Sequence, residues 1–212
     1  GALREGLLYD HLGRLQHEDA RERSVQAMAK RYNVDHDQAR RVAETSILLL
    51  EQVASAWALG STLAGSVIDW ASILHEIGLD ISHNNFQKHG AYIAENADLP
   101  GFPRSEQKLL SYLIATQRSE FEKSRFRSLP SEWRESALRL AILLRVAVLL
   151  NRSRTAIDLS GVAAAADSHC LHLKFPTGWL EANPLTIADL EREREYLGEI
   201  DYDLQFGPYD PS

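Results

Sequence analysis

The chain has 212 residues, 44% of them apolar, a net charge of −7 and a single cysteine, Cys170. That length and apolar share are enough for a sizeable buried core, which excludes a disordered chain. No apolar run approaches the roughly 18 to 20 residues that a bilayer span needs, and one thiol cannot form an internal disulfide, so the sequence reads as a cytoplasmic globular protein with no membrane segment.

The opening Ala2-Leu3-Arg4-Glu5-Gly6-Leu7-Leu8-Tyr9 carries no initiator Met and begins in mid-helix grammar, which predicts a piece of a longer protein. A first helix is expected at about 18 to 32. Asp35-His36-Asp37-Gln38 reads as a helix start, and the apolar positions Ala39, Val42, Ala43, Ile47, Leu50 and Val53 carry a helix to about 57. Val67, Trp70, Ala71, Leu74 and Ile77 share one face of the next helix, which Gly78 stops, leaving His75 and Glu76 in its last turn. Helices at about 87 to 96 and 104 to 116 follow, separated by Asp98-Leu99-Pro100-Gly101-Phe102-Pro103. From Ala137 to Leu150 the residues are apolar nearly all round, so a helix at about 132 to 150 belongs in the middle of a bundle. Beyond Asn151 the grammar turns to short extended runs, Ala156 to Leu159, Cys170 to Phe175 and Tyr202 to Phe206, around a charged helix of about Thr186 to Glu199.

The negative charge is unevenly spread. Residues 103 to 154 hold eleven Lys and Arg against five Asp and Glu, whereas 155 to 212 hold three against eleven. Local potential decides where an anion binds, so the middle segment is a candidate polyanion surface and the acidic tail is a candidate packing surface. On a continuous helix Arg134, Arg145 and Arg152 fall within about 20° of one another and predict a guanidinium stripe. Aromatic residues do not interleave with these cations as a base-stacking surface requires, which argues against nucleic acid.

His75-Glu76 at a helix end, after one long helix and before a buried one, resembles the HD phosphohydrolase layout. The four metal positions of that layout fall on Gln38, His75, Glu76 and Val148. Val has no ligand atom and Gln is a poor substitute for imidazole, so no metal is expected here, and Glu76 is expected to pair with a basic residue such as Arg145. An active HD-type metal phosphohydrolase is the competing reading.

Taken with the opening segment, His75-Glu76-Ile77-Gly78, His83 with Lys88-His89-Gly90-Ala91-Tyr92-Ile93, Asp98-Leu99-Pro100-Gly101-Phe102, Leu143-Leu144-Arg145, Phe175-Pro176 to Trp179-Leu180, Asp189-Leu190-Glu191 and Glu195-Tyr196-Leu197, the chain resembles the C-terminal region of the exopolyphosphatase/guanosine pentaphosphatase family. The resemblance implies a mainly α fold: a degenerate HD-like helical bundle at 17 to 154, then a small α+β domain at 155 to 212. Residues 1 to 16 would be the end of a preceding region of two actin-like domains. That region would carry the active site and its magnesium, so no catalytic residue and no cofactor are expected in this chain. For the chain itself the resemblance implies binding of inorganic polyphosphate and a homodimer, with the guanosine pentaphosphate enzyme as the alternative parent. Lys88, His89, Arg118, Lys123, Arg125, Arg127, Arg134, Arg145, Arg152 and Arg154 are the candidate phosphate-binding residues. Where relatives tend to have a His-Arg-Lys cluster, this chain has Gln117-Arg118-Ser119.

Overall fold

A computed structural model of the protein describes residues 20–209, so the opening segment and its motif lie outside the described residues. A first helix, α1, covers 20–31. Asp35 then caps α2, His36–Val53, its carboxylate accepting from the Gln38 amide. Ser61 caps α3, Thr62–Leu74, in the same way through Ala64. A 3₁₀ turn, Ile77–Asp80, leads to α4, Phe86–Asn96, and the Pro-Gly turn leads to α5, Arg104–Thr116. Beyond α5 comes a short helix, α6, Lys123–Ser128. After a 3₁₀ turn at Ser131–Trp133 comes α7, Arg134–Leu150. Its all-round apolar character is satisfied by packing against α2, α3 and α5.

Gly78 does not stop a helix by a left-handed φ. It sits where the Ile77–Asp80 turn meets α4 backbone to backbone, and a Cβ there would lie 1.9 Å from the Phe86 carbonyl oxygen.

Beyond α7 the chain forms a three-stranded sheet in the order β1, Ala163–Asp167, β2, Cys170–Phe175, and β3, Asp203–Pro208. The β1–β2 pair is an antiparallel hairpin; β2–β3 is parallel, which requires the crossover supplied by α8, Trp179–Ala182, and α9, Pro184–Gly198. Leu171, Leu173 and Phe175 of β2 are fully buried against the helices, and one apolar core runs through the bundle and the sheet. The fold is therefore mainly α with a small α+β end.

One strand was misplaced by sequence reading. The run Ala156 to Leu159, which contains Ile157 and Leu159, is not a strand, while the four alanines of Ala163–Asp167 are. Local propensity favoured the former, but only the latter has β2 beside it, and Gln52 Oε1 accepts from its Ala164 amide at 2.8 Å.

Candidate functional site

Of the four HD-like positions, Gln38 and the neighbours His75 and Glu76 are linked at one end of the bundle through Arg41 and Arg154. Gln38 is buried in the first turn of α2, where its Nε2 donates to the Asn151 carbonyl at 2.9 Å and its Oε1 accepts from Arg41. Asn151 in turn donates to Thr45 Oγ1 and the Ala147 carbonyl, so the start of α2 is fastened to the end of α7. His75 is 2% exposed; its Nδ1 donates to the Ser72 carbonyl at 2.6 Å, which leaves Nε2 facing Glu76 at 3.8 Å. Gln117 is buried as well and donates to the His75 carbonyl. Val148 is half-buried on α7.

Glu76 does not pair with Arg145, as the sequence suggested, but with Arg154. The Arg154 guanidinium lies 2.7 and 3.2 Å from the two Glu76 oxygens and 2.9 Å from Asp35 Oδ2. Arg154 also takes a left-handed φ of 58°, uncommon for a residue with a side chain, and its carbonyl accepts from Arg41. A side-chain cation thus stands between the two carboxylates at this end of the bundle. With Glu76 committed to it, and with Gln38 and Val148 in place of an imidazole and a carboxylate, the residues do not fit a hydrolytic metal centre, which takes about three protein ligands and an open position.

Burial holds the His75 imidazole below its ordinary range, with Glu76 and the Ser72 carbonyl opposing and Arg154 assisting. The unfolded chain takes up that proton near pH 6.5, the folded chain only at lower pH, so stability present above about pH 6.5 is lost as the pH falls below it. Asp35 is held low, first by the Gln38 amide and then by Arg154, and its contribution is lost at still lower pH. Denaturant titrations across this range are expected to show the first loss flattened in His75→Gln. A slope that persists there unchanged assigns the titration to another group.

The ten candidate phosphate-binding residues divide by what they already touch. Arg145 is 1% exposed and held by Glu193 and by the Thr116 and Ser119 carbonyls. Arg125 pairs with Glu95, Arg152 with Asp189 at 2.6 Å, and Arg154 as described. The expected stripe does not form: Arg145 is covered, and α7 ends at Leu150, before Arg152. Arg118, Lys123 and Arg127 are exposed, and none has a carboxylate partner among the described residues. Arg118 lies over the Phe86 ring at 5.2 Å, which places it at the start of α4, where Lys88 is exposed and His89 half-buried. Lys123 and Arg127 are one turn apart on α6, and Arg134 donates to the Arg127 and Leu129 carbonyls. The structural use of Arg154, and of Arg41 toward it, was missed in the sequence, because Arg154 lies 113 residues from Arg41 and 78 from Glu76.

The fold and this site define a mainly helical, HD-like bundle with no ligand set for a hydrolytic metal at its HD positions. Residues 20–194 match the family model described as Ppx/GppA phosphatase, domain III. The chain belongs to the Ppx/GppA phosphatase family. It is similar to proteins named guanosine-5'-triphosphate,3'-diphosphate pyrophosphatase from Aeromonas hydrophila, 37% identical over 92% of this chain and 39% of that protein, and Aeromonas salmonicida, 36% identical over the same shares. One of the same name from Pseudoalteromonas translucida is 34% identical over 96% of this chain and 41% of its own length. The chain spans about two fifths of the length of these curated relatives. No helix among the described residues is long and apolar enough to cross a membrane.

Proposed function

We propose that this chain is a non-catalytic module of a cytoplasmic phosphoanhydride-cleaving phosphatase, and that it holds long-chain inorganic polyphosphate on the surface of Lys88, Arg118, Lys123, Arg127 and Arg134. Hydrolysis and its magnesium belong to another part of the longer protein. The observation that carries the reading is the sorting of cations: in a chain of net charge −7, Arg118, Lys123 and Arg127 stay exposed with no carboxylate partner among the described residues. Such a surface gains from counterion release in proportion to the phosphates it engages. A homodimer is part of the same proposal, supported by Leu185, 82% exposed on the acidic tail. A second reading takes guanosine-5'-triphosphate,3'-diphosphate as the ligand, and the names of the relatives favour it.

Titrations with polyphosphates of increasing length and with that nucleotide, at several salt concentrations, test the proposal, and light scattering on the same samples gives the mass of the free chain. Affinity is expected to rise with polyphosphate length and to fall steeply with salt. Lys123→Glu with Arg127→Glu should weaken binding at least tenfold and reduce the log-log salt slope by about 1 to 2. Arg192→Glu, set among Glu191, Glu193 and Glu195, should do little. An affinity indifferent to length, or an equal loss with Arg192→Glu, overturns the polyphosphate surface; tight nucleotide binding without preference for long polymer establishes the second reading.

A further inference from the structure

One face of the small sheet gathers three side chains of different ligating chemistry. Cys170 and His172 are two residues apart on β2, so they point to the same face, opposite Leu171 and Leu173; Cys170 is itself buried, His172 half-buried and Asp167 exposed. The antiparallel register sets Asp167 directly across from Cys170. His172 Nε2 lies 3.1 Å from Asp167 Oδ2, while its Nδ1 lies 4.0 Å from Cys170 Sγ. One ligand atom from each of the three lies within 4.8 Å of the others, and no other such group of three occurs among the described residues.

The turn that carries them is held from behind by the bundle. Buried Trp57 donates its indole N–H to the Asp167 carbonyl at 2.6 Å, Arg139 donates to the Ser168 carbonyl, and the Asp203 amide donates to the His169 carbonyl at 2.8 Å. All three turn carbonyls are therefore fixed, and the side chains above them stand on a rigid base.

We propose that Asp167, Cys170 and His172 form a binding site for a zinc ion. Sulfur and imidazole ligands disfavour calcium and magnesium, and a thiolate, an imidazole and a carboxylate together are a donor set that zinc accepts. Tetrahedral zinc at about 2.0 to 2.3 Å from each atom brings its ligands closer to one another than 4.8 Å, so the half-buried imidazole and the exposed carboxylate move inward by about 1 Å. The thiol proton leaves to solvent as the metal enters, and the fourth position remains open to solvent. The ion would staple the β1–β2 hairpin, whose alanine-rich edge strand has little side-chain packing of its own. This site was not among the sequence expectations, which gave the chain no metal. It is independent of the polyphosphate reading.

Cobalt(II) serves as the probe because the chain has one cysteine, so a thiolate-to-cobalt charge-transfer band reports on Cys170 alone. The full chain, kept reduced, is expected to bind one equivalent with that band, and zinc is expected to displace it and raise the melting temperature. Cys170→Ala should abolish the band. His172→Ala and Asp167→Asn, at positions not buried in the core, should keep the fold by circular dichroism and weaken cobalt and zinc at least tenfold each. Absence of the band in the unmodified chain, or a band and affinity that survive both His172→Ala and Asp167→Asn, overturns the site.

Discussion

Replacing Arg145 by Ala is expected to destabilise the protein by about 3 to 5 kcal/mol, a cost typical of removing one partner from a buried ion pair. The guanidinium is 1% exposed and lies between two aromatic faces, 4.5 Å from the Phe121 ring and 5.1 Å from the Tyr196 ring. Its Nε and one terminal nitrogen reach the Glu193 carboxylate on α9, and the other donates to the Thr116 carbonyl at the end of α5 at 2.5 Å. Ala at this position leaves Glu193, 7% exposed, as a buried charge without its partner, and leaves the Thr116 and Ser119 carbonyls without theirs. Joint replacement, Arg145→Met with Glu193→Leu, removes both charges and is expected to cost clearly less than the single change. Urea unfolding of the three variants checks this. A single-variant loss below about 1 kcal/mol would sink the account, since that is the scale of an exposed pair. Neither replacement bears on phosphate binding except through folding, because every guanidinium nitrogen of Arg145 is already engaged.

The fate of Arg145 shows why the site was less legible than the fold. Helical spacing located α2, α5 and α7 within a few residues, since a run such as Ala137 to Leu150 carries its own period and its own burial. The angular argument that put Arg134, Arg145 and Arg152 on one face also used that period. What it lacked was the cover: α9 returns to pack on α7 at the level of Arg145, and its Glu193 is 48 residues away along the chain. Glu76 and Arg154, 78 residues apart, were separated in the reading for the same reason. Pairs of this kind are set by tertiary packing, whereas caps and periods are local. The Asp167, Cys170 and His172 cluster had a local signal, a Cys and a His two residues apart on a strand, but the third member depended on the hairpin register. The first strand was misread because alanine has little β preference and its pairing partner decides the matter.

Gly78→Ala is expected to cost more than about 3 kcal/mol, with Gly90→Ala as its internal control. A Cβ on Gly78 meets the Phe86 carbonyl oxygen at 1.9 Å and the Gly90 amide nitrogen at 2.6 Å, and both are backbone atoms that cannot swing aside. Relief requires the Ile77–Asp80 turn and α4 to separate. Overpacking in a well-packed core usually costs about 1 to 3 kcal/mol, and contact with fixed backbone on two sides sets this case at or beyond the upper end. On Gly90 the same methyl meets the Ile114 methyl at 3.1 Å and the Gly78 amide nitrogen at 3.3 Å, tight contacts that a few tenths of an ångström relieve. Gly90 also lies within α4, where Ala is favoured over Gly by about 1 kcal/mol, so the net cost there should be about 2 kcal/mol or less. Because Gly78 lies only two residues beyond Glu76, separation of the turn from α4 should also disturb the Glu76–Arg154 pair, and the acid loss of stability assigned to His75 should change in Gly78→Ala but not in Gly90→Ala. Equal costs for the two variants in urea unfolding would show that the contact at Gly78 yields as readily as the one at Gly90, and that close backbone approach does not explain the glycine.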